Sequence, residues 1–172
     1  MSGDVIAIHI TSGASEPMQS LDRAEAIAGQ GLSGDRYQTG SGFYSQTPTT
    51  PGARELTLIA EEALNAVAVE TGIEIPLHEH RRNITTRGID VDALLGQQFR
   101  IGGALCEGVR ACPPCNHLDE LTGKPLLKPL AQRGGLRARI VTGGEIRVGD
   151  RIEPLGAASD GAAPEEMAAT RA

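Results

Sequence analysis

The sequence predicts a mainly β fold, a barrel or a sandwich with a few short helices. Seven short apolar or alternating runs are spread along the 172 residues, and glycine pairs or turn clusters cut them apart. Only one segment shows sustained helical spacing. A chain of this length is expected to form one domain, spanning residues 1–155, with a core large enough to need no staples.

The runs follow in order. "DVIAIHI" (4–10) is short, apolar and β-rich, which reads as a buried strand. The pattern between 17 and 35 is weak, and "GQGLSGDRY" (29–37) is glycine punctuation around a tight turn. "TGSGFYSQTPTTPGA" (39–53) is long for a loop in a compact domain and offers few apolar anchors, so it is expected to be a mobile lid or disordered. "ELTLIA" (55–60) alternates as a strand does, and "EEALNAVAVET" (61–71) follows with helical spacing at Leu64, Val67 and Ala68, stopped by Gly72. Strands are then expected at 81–86, 98–101, 104–109, 136–141 and 151–154, with turns at 102–103 and 143–144. A helical turn at 90–96 would be capped by Asp90, and a second helix is expected between 121 and 132, where Pro125 and Pro129 restrict its start. The segment 156–172 lacks the apolar bulk to pack and reads as a disordered tail.

Composition excludes several classes of function. A net charge of −6 and four aromatic residues, with no Trp, argue against nucleic-acid binding. No run approaches the ~20 apolar residues that span a bilayer, and "MSGDVIAIHI" does not read as a signal peptide, so a cytoplasmic protein without a membrane partner is expected. The charge is uneven. From Arg81 to Arg139, ten Arg and Lys face five Asp and Glu, and most basic residues are Arg, whose planar fork suits oxyanions. A small anionic ligand is one reading of this surplus; a solvated surface is the other.

Chemistry concentrates in "RACPPCNHL" (110–118). A redox dithiol is disfavoured, because two prolines in polyproline II geometry would hold the Cys112 and Cys115 Cα atoms about 9 Å apart, beyond the roughly 4.4–6.8 Å of a disulfide. A zinc site built from Cys106, Cys112, Cys115 and His117 has only one well-spaced ligand pair. Cys106, in a strand-like run, reads as a buried small hydrophobe. The third reading is a single thiolate on a rigid ramp with basic neighbours, able to ligate a soft metal or to carry sulfur as a persulfide. His117 reads as a surface histidine bonded to the loop. Arg81, Arg82 and Asn83 form a compact donor cluster in which strand alternation would put Arg81 and Asn83 on one side and Arg82 on the other. Arg36 is a further candidate cation, and Arg133, Gly134 and Gly135 offer either a close backbone approach to a ligand or simple turn geometry.

At these residues the chain resembles the MOSC domain family, in its stand-alone bacterial form. The resemblance is carried by "GLSGDRY" (31–37), "ELTLIAEEAL" (55–64), "RRNITTRGIDVDALLGQQFRIGGA" (81–104), "CPPCNHL" (112–118) and "GGEIRVGD" (143–150), in that order. It implies a closed or partly closed β-barrel. It also implies that the working cysteine follows a proline and precedes a leucine by three positions, which is Cys115 and not Cys112. In the family this cysteine carries sulfur or binds molybdenum. The implied cofactor is the molybdenum cofactor, molybdopterin, with Cys115 as catalytic residue and metal ligand and with Arg36, Arg81, Arg82, Asn83, Arg133, Gly134 and Gly135 as cofactor-binding candidates. The implied activities are sulfur carriage or reduction of N-hydroxylated compounds; the alternative is a non-catalytic carrier of the cofactor or of a small anionic metabolite. The chain has no pyridoxal-phosphate domain, so a persulfide donor or a redox partner protein would have to come from outside.

Overall fold

The structure is a computed structural model and describes residues 1–157. Eleven strands form: β1 (Gly3–Ile10), β2 (Gln19–Leu21), β3 (Arg23–Ile27), β4 (Gly31–Leu32), β5 (Leu56–Ala60), β6 (Ile84–Arg87), β7 (Gln97–Ile101), β8 (Ala104–Ala111), β9 (Leu136–Thr142), β10 (Gly144–Arg147) and β11 (Arg151–Ala157). Helices are short: α1 (Arg36–Thr39), α2 (Glu61–Thr71) and α3 (Asn116–Thr122), with a 3-10 turn at Val91–Leu94.

Seven strands close on themselves in the order β11-β7-β8-β9-β5-β6-β1, and β1 pairs with β11 to complete the ring. Only the β5–β6 pair is parallel; the helix α2 is the crossover that a parallel pair requires. Closure leaves the barrel without free edges. β2 extends the sheet beside β1, and β10, β3 and β4 make a separate three-stranded sheet. The barrel is filled from the strands by Val5, Ile8, Leu56, Leu58, Ile84, Phe99, Ile101, Cys106, Leu136, Ala138 and Ile140, all buried. A second apolar cluster, with Ile59, Leu64, Val67, Leu118, Leu126 and Leu130, seats α2 and α3 on the outside. Each buried side chain of this size contributes roughly 1.5–3 kcal/mol.

Several local expectations shift. β6 starts at Ile84, three residues late, because Arg81 takes a positive φ of 68° and the chain there is a loop. The expected helix at 121–132 is instead α3, which begins immediately after Cys115 and ends at Gly123 in the left-handed conformation; Pro125 and Pro129 fall in the turns beyond. Of the expected 143–144 turn, Gly144 opens β10. The expected tail, 156–172, lies outside the described residues except for Gly156 and Ala157, which close β11. Asp90 does cap its turn, accepting from the Asp92 amide at 3.0 Å.

Candidate active site

The site lies on the outer face of the barrel wall. Leu56 and Leu58 of β5 and Leu136 and Ala138 of β9 point inward, so Thr57 and Arg137 between them point out. β8 would by simple alternation send Val109 out beside them. A β-bulge between Gly108 and Arg110 shifts the register, and Arg110 lies directly opposite Arg137. Gly108 is required there: a Cβ would stand 2.3 Å from the Leu94 carbonyl oxygen, because the 3-10 turn lies against this strand.

Above this wall, segments from three directions enclose a cavity of about 300 Å³. "CPPC" and the start of α3 bring Pro113, Pro114, Cys115, His117 and Leu118; the loop before β6 brings Arg81 and Arg82; α1 and the 43–54 segment bring Arg36, Tyr37, Phe43, Tyr44, Thr49 and Arg54. Cys115 is the residue capping α3, in an extended conformation, and is partly exposed. Cys112 is buried and Cys106 is sealed in the barrel core, where burial pushes its thiol up to about 12. All three cysteines are free.

The 39–53 segment does lie at the cavity's mouth. Phe43 stacks on His117 with ring centroids 3.7 Å apart and 10° between planes, and His117 Nε2 is 3.4 Å from the Ser15 hydroxyl. Burial and the neighbouring Arg81 and Arg36 guanidiniums lower the His117 pKa, against a smaller opposing pull from Glu120. Tyr44 and Cys115 both line the cavity, and the influence of the Cys115 thiol, together with burial, raises the Tyr44 phenol to about 12. The Tyr37 hydroxyl accepts from the Tyr44 amide at 3.3 Å. Three of the chain's four aromatic residues thus crowd one cavity, and their clustering between positions 37 and 44 was the sequence signal for it.

The candidate cations divide by how they are engaged. Arg82 is buried and donates to four carbonyl oxygens, those of Gly134, His80, Cys112 and Pro113, at 2.8–3.2 Å. It fixes the shape of the cysteine loop. Arg36 is buried against Asp35 at 3.1 Å and donates to the Arg81 carbonyl. Arg81 is half-buried and bonded only to the Glu16 carbonyl; burial and the Arg36 charge lower it to about 10. Because residues 81–83 are not in a strand, alternation fails and both Arg81 and Arg82 line the cavity.

The remaining candidates lie elsewhere. Asn83 is buried, its amide donating to the His9 carbonyl and accepting from Thr57. Arg133 faces away from the cavity and forms a two-pronged pair with Glu70. Gly134 and Gly135 approach protein backbone: a Cβ would stand 2.5 Å from the Cys112 carbonyl oxygen at Gly134 and 2.2 Å from that of Leu58 at Gly135, whose φ is +114°. Sequence reasoning missed Arg54, Arg110 and Arg137 as a group, because the bulge and the folded-over loop that unite them leave no mark in the sequence.

Against known proteins, the model of the MOSC domain matches residues 29–153, most of the chain. The chain belongs to the MOSC domain family. Among solved structures, the YuaD protein of Bacillus subtilis superposes with a TM-score of 0.75 at 18% identity, covering 90% of this chain and 96% of that one. YiiM of Geobacillus stearothermophilus gives 0.66 at 16% identity, covering 89% of this chain and 75% of its own. YiiM of Escherichia coli gives 0.65 at 18% identity, covering 93% and 72%. These likenesses establish the MOSC fold. A search of the curated proteins finds no match. No helix of the described residues is long and apolar enough to cross a membrane.

Proposed function

We propose that this MOSC protein binds the molybdenum cofactor, with the Cys115 sulfur as protein ligand to the metal, and that it acts as a reductase of N-hydroxylated compounds. The observation that carries the reading is the pairing of one accessible sulfur with guanidiniums that have no carboxylate partner. The cavity is lined by six arginines and no Asp or Glu. Of the six, only Arg36 makes an ion pair with a carboxylate among the described residues.

This donor set suits the group. A dithiolene-bound molybdenum asks for a soft ligand, which Cys115 offers, and a phosphate asks for forked cationic donors, which Arg81 offers with Arg36 behind it. When bound, the cofactor supplies two-electron chemistry at an N–O bond. The protein's own part is to orient and to shield. Arg82 holds the Cys112 and Pro113 carbonyls so that the cysteine loop presents Cys115 in one geometry. The Tyr44 hydroxyl, kept protonated across the physiological range, lines the same cavity as the sulfur. Phe43, stacked on His117, forms an apolar wall at the side of the cavity.

The test is molybdenum and phosphate analysis of natively purified protein, with turnover of an N-hydroxylated base alongside. The reading expects about one molybdenum per chain in the wild type and a weakened hold on it in Cys115→Ser and in Arg81→Gln. Molybdenum held as tightly by Cys115→Ser as by the wild type would overturn the ligand assignment. Bound cofactor without turnover would mark a carrier, and a persulfide on Cys115 without molybdenum would mark a sulfur carrier.

A further inference from the structure

We infer that the cavity has a second, separate anionic subsite, formed by Arg54, Arg110 and Arg137, and that it selects a substrate bearing a carboxylate or similar oxyanion. The inference rests on the reading above for the identity of the first occupant, the cofactor, and it adds the substrate's chemical class.

Two cationic poles are distinguishable around Cys115. On one side Arg36 donates to the Arg81 carbonyl and Arg81 to that of Glu16. On the other, Arg110 and Arg137 stand opposite one another on β8 and β9, and Arg54, Arg110 and Arg137 all bond to the 47–53 segment, with Arg54 within the fields of the other two. The second pole is built at a cost. Arg110 and Arg137 are directly opposite partners in the β8–β9 ladder, and like charges opposed across strands destabilise a sheet. Elsewhere in the same ladder Glu107 faces Arg139, and there the chain makes a proper ion pair at 2.6 Å. The bulge at Gly108–Arg110 sets the unfavourable opposition, and Arg54 adds a third like charge.

The three guanidiniums have only neutral company. Arg54 donates to the Thr47 carbonyl, Arg110 to the Thr49 hydroxyl at 3.3 Å, and Arg137 to the Ala53 carbonyl at 3.5 Å. One bond each to a neutral acceptor, long for Arg110 and Arg137, leaves most of each fork free for a bidentate anion. All three acceptors belong to the segment over the mouth, so this pole sits on the entry side. Arg110 is exposed and Arg54 and Arg137 are partly so, whereas Arg36 is buried. An exposed pole at the mouth suits a ligand that exchanges, and the more enclosed pole at Arg81 and Arg36 suits one that stays.

Alkylation of Cys115 with two reagents of similar size and different charge tests this. Iodoacetate and iodoacetamide are compared on the full chain produced in a host that makes no molybdenum cofactor, with modification at Cys115 read by mass spectrometry and glutathione as the free-thiol reference. The iodoacetate-to-iodoacetamide rate ratio at Cys115 should exceed that of glutathione by about tenfold at low salt and fall as salt rises. The double variant Arg110→Gln/Arg137→Gln should lower the ratio severalfold towards the glutathione value, the remainder coming from Arg54 and the Arg81 pole, while the same variant purified from a cofactor-making host keeps its molybdenum and phosphate. An unchanged ratio in the double variant would overturn the subsite. A double variant that loses the cofactor as well would overturn its assignment to substrate, since the three arginines would then hold the cofactor's phosphate. Absence of molybdenum in wild type would remove the cofactor reading alone, because the charge preference is measured without it. Arg139→Gln, outside the cavity on the same strand, controls for general loss of positive charge.

Discussion

The residues that give the site its chemistry are held by bonds that a sequence does not display. Arg82 is one case: adjacent to Arg81 in the chain, it spends its guanidinium on four backbone carbonyls. Arg82→Met should lower stability by about 3 kcal/mol, in the range for stranding acceptors of a charged donor; denaturant unfolding checks it, with an unchanged slope marking a folded-state effect. Tyr44 is another. Its phenol is raised to about 12 chiefly by the influence of Cys115, so ultraviolet titration should find it well above an ordinary tyrosine, and Cys115→Ala should bring it back towards 10. A Tyr44 that titrates identically in both proteins would contradict that influence. Cys115 was singled out because Pro-Cys with a following leucine is a local pattern, and the structure lines the cavity with it. Asn83 was drawn in by its closeness to Arg81 and Arg82, and Arg133, Gly134 and Gly135 by glycine's tolerance of close approach; Asn83 bonds to the His9 carbonyl, Arg133 to Glu70, and the glycines approach protein backbone.

At the scale of elements, what was legible follows from length and burial. β1, β5 and β7 to β9 are long enough, or buried enough, for alternation to show, and α2 carries a buried stripe of Leu64 and Val67 ended by a left-handed Gly72. The strands β2, β3, β4 and β10 run only two to five residues; β2 is largely exposed, and β3 turns only small alanines, Ala24 and Ala26, inward, so their hydrophobic pattern is weak. The helix α3 lies upstream of the expected 121–132 span because Gly123 ends it in the left-handed conformation, and Pro125 and Pro129 stand against a helix restarting beyond. The bulge in β8 is the least visible feature and the one on which the outer wall depends. Gly108→Ala should cost about 1–3 kcal/mol, since the new methyl meets the Leu94 carbonyl oxygen and one strand or the turn must move. It should also weaken the charge preference at Cys115 by displacing Arg110 from Arg137; full stability in this variant, measured by thermal unfolding, would contradict the close approach.

For the whole molecule, closure of the barrel places two histidines where they must stay neutral. His80 is fully buried, its Nδ1 accepting from the Arg82 amide and its Nε2 2.8 Å from the Thr85 hydroxyl, and burial with the nearby Arg82 charge lowers its pKa well below 6.5. His9, 3% exposed, is lowered in the same direction by burial and by His78. Between the folded and unfolded pKa values the unfolded chain binds more protons. Stability from these groups is therefore complete above about pH 6.5 and lost as pH falls towards the lower folded values. Urea midpoints should drop between pH 7 and pH 5, and His80→Asn should flatten that slope even if it lowers stability at pH 7. A barrel or sandwich was legible at this scale, since short strands leave a regular spacing of runs and turns, whereas the family and the closed barrel came from the resemblance carried by the motifs between residues 31 and 150. The central claim is that one sulfur of this chain, that of Cys115, ligates molybdenum. X-ray absorption at the molybdenum edge of the loaded protein tests it most directly: the sulfur coordination number should be one higher in the wild type than in Cys115→Ser reconstituted with the same cofactor, and an identical sulfur shell in the two proteins would contradict it.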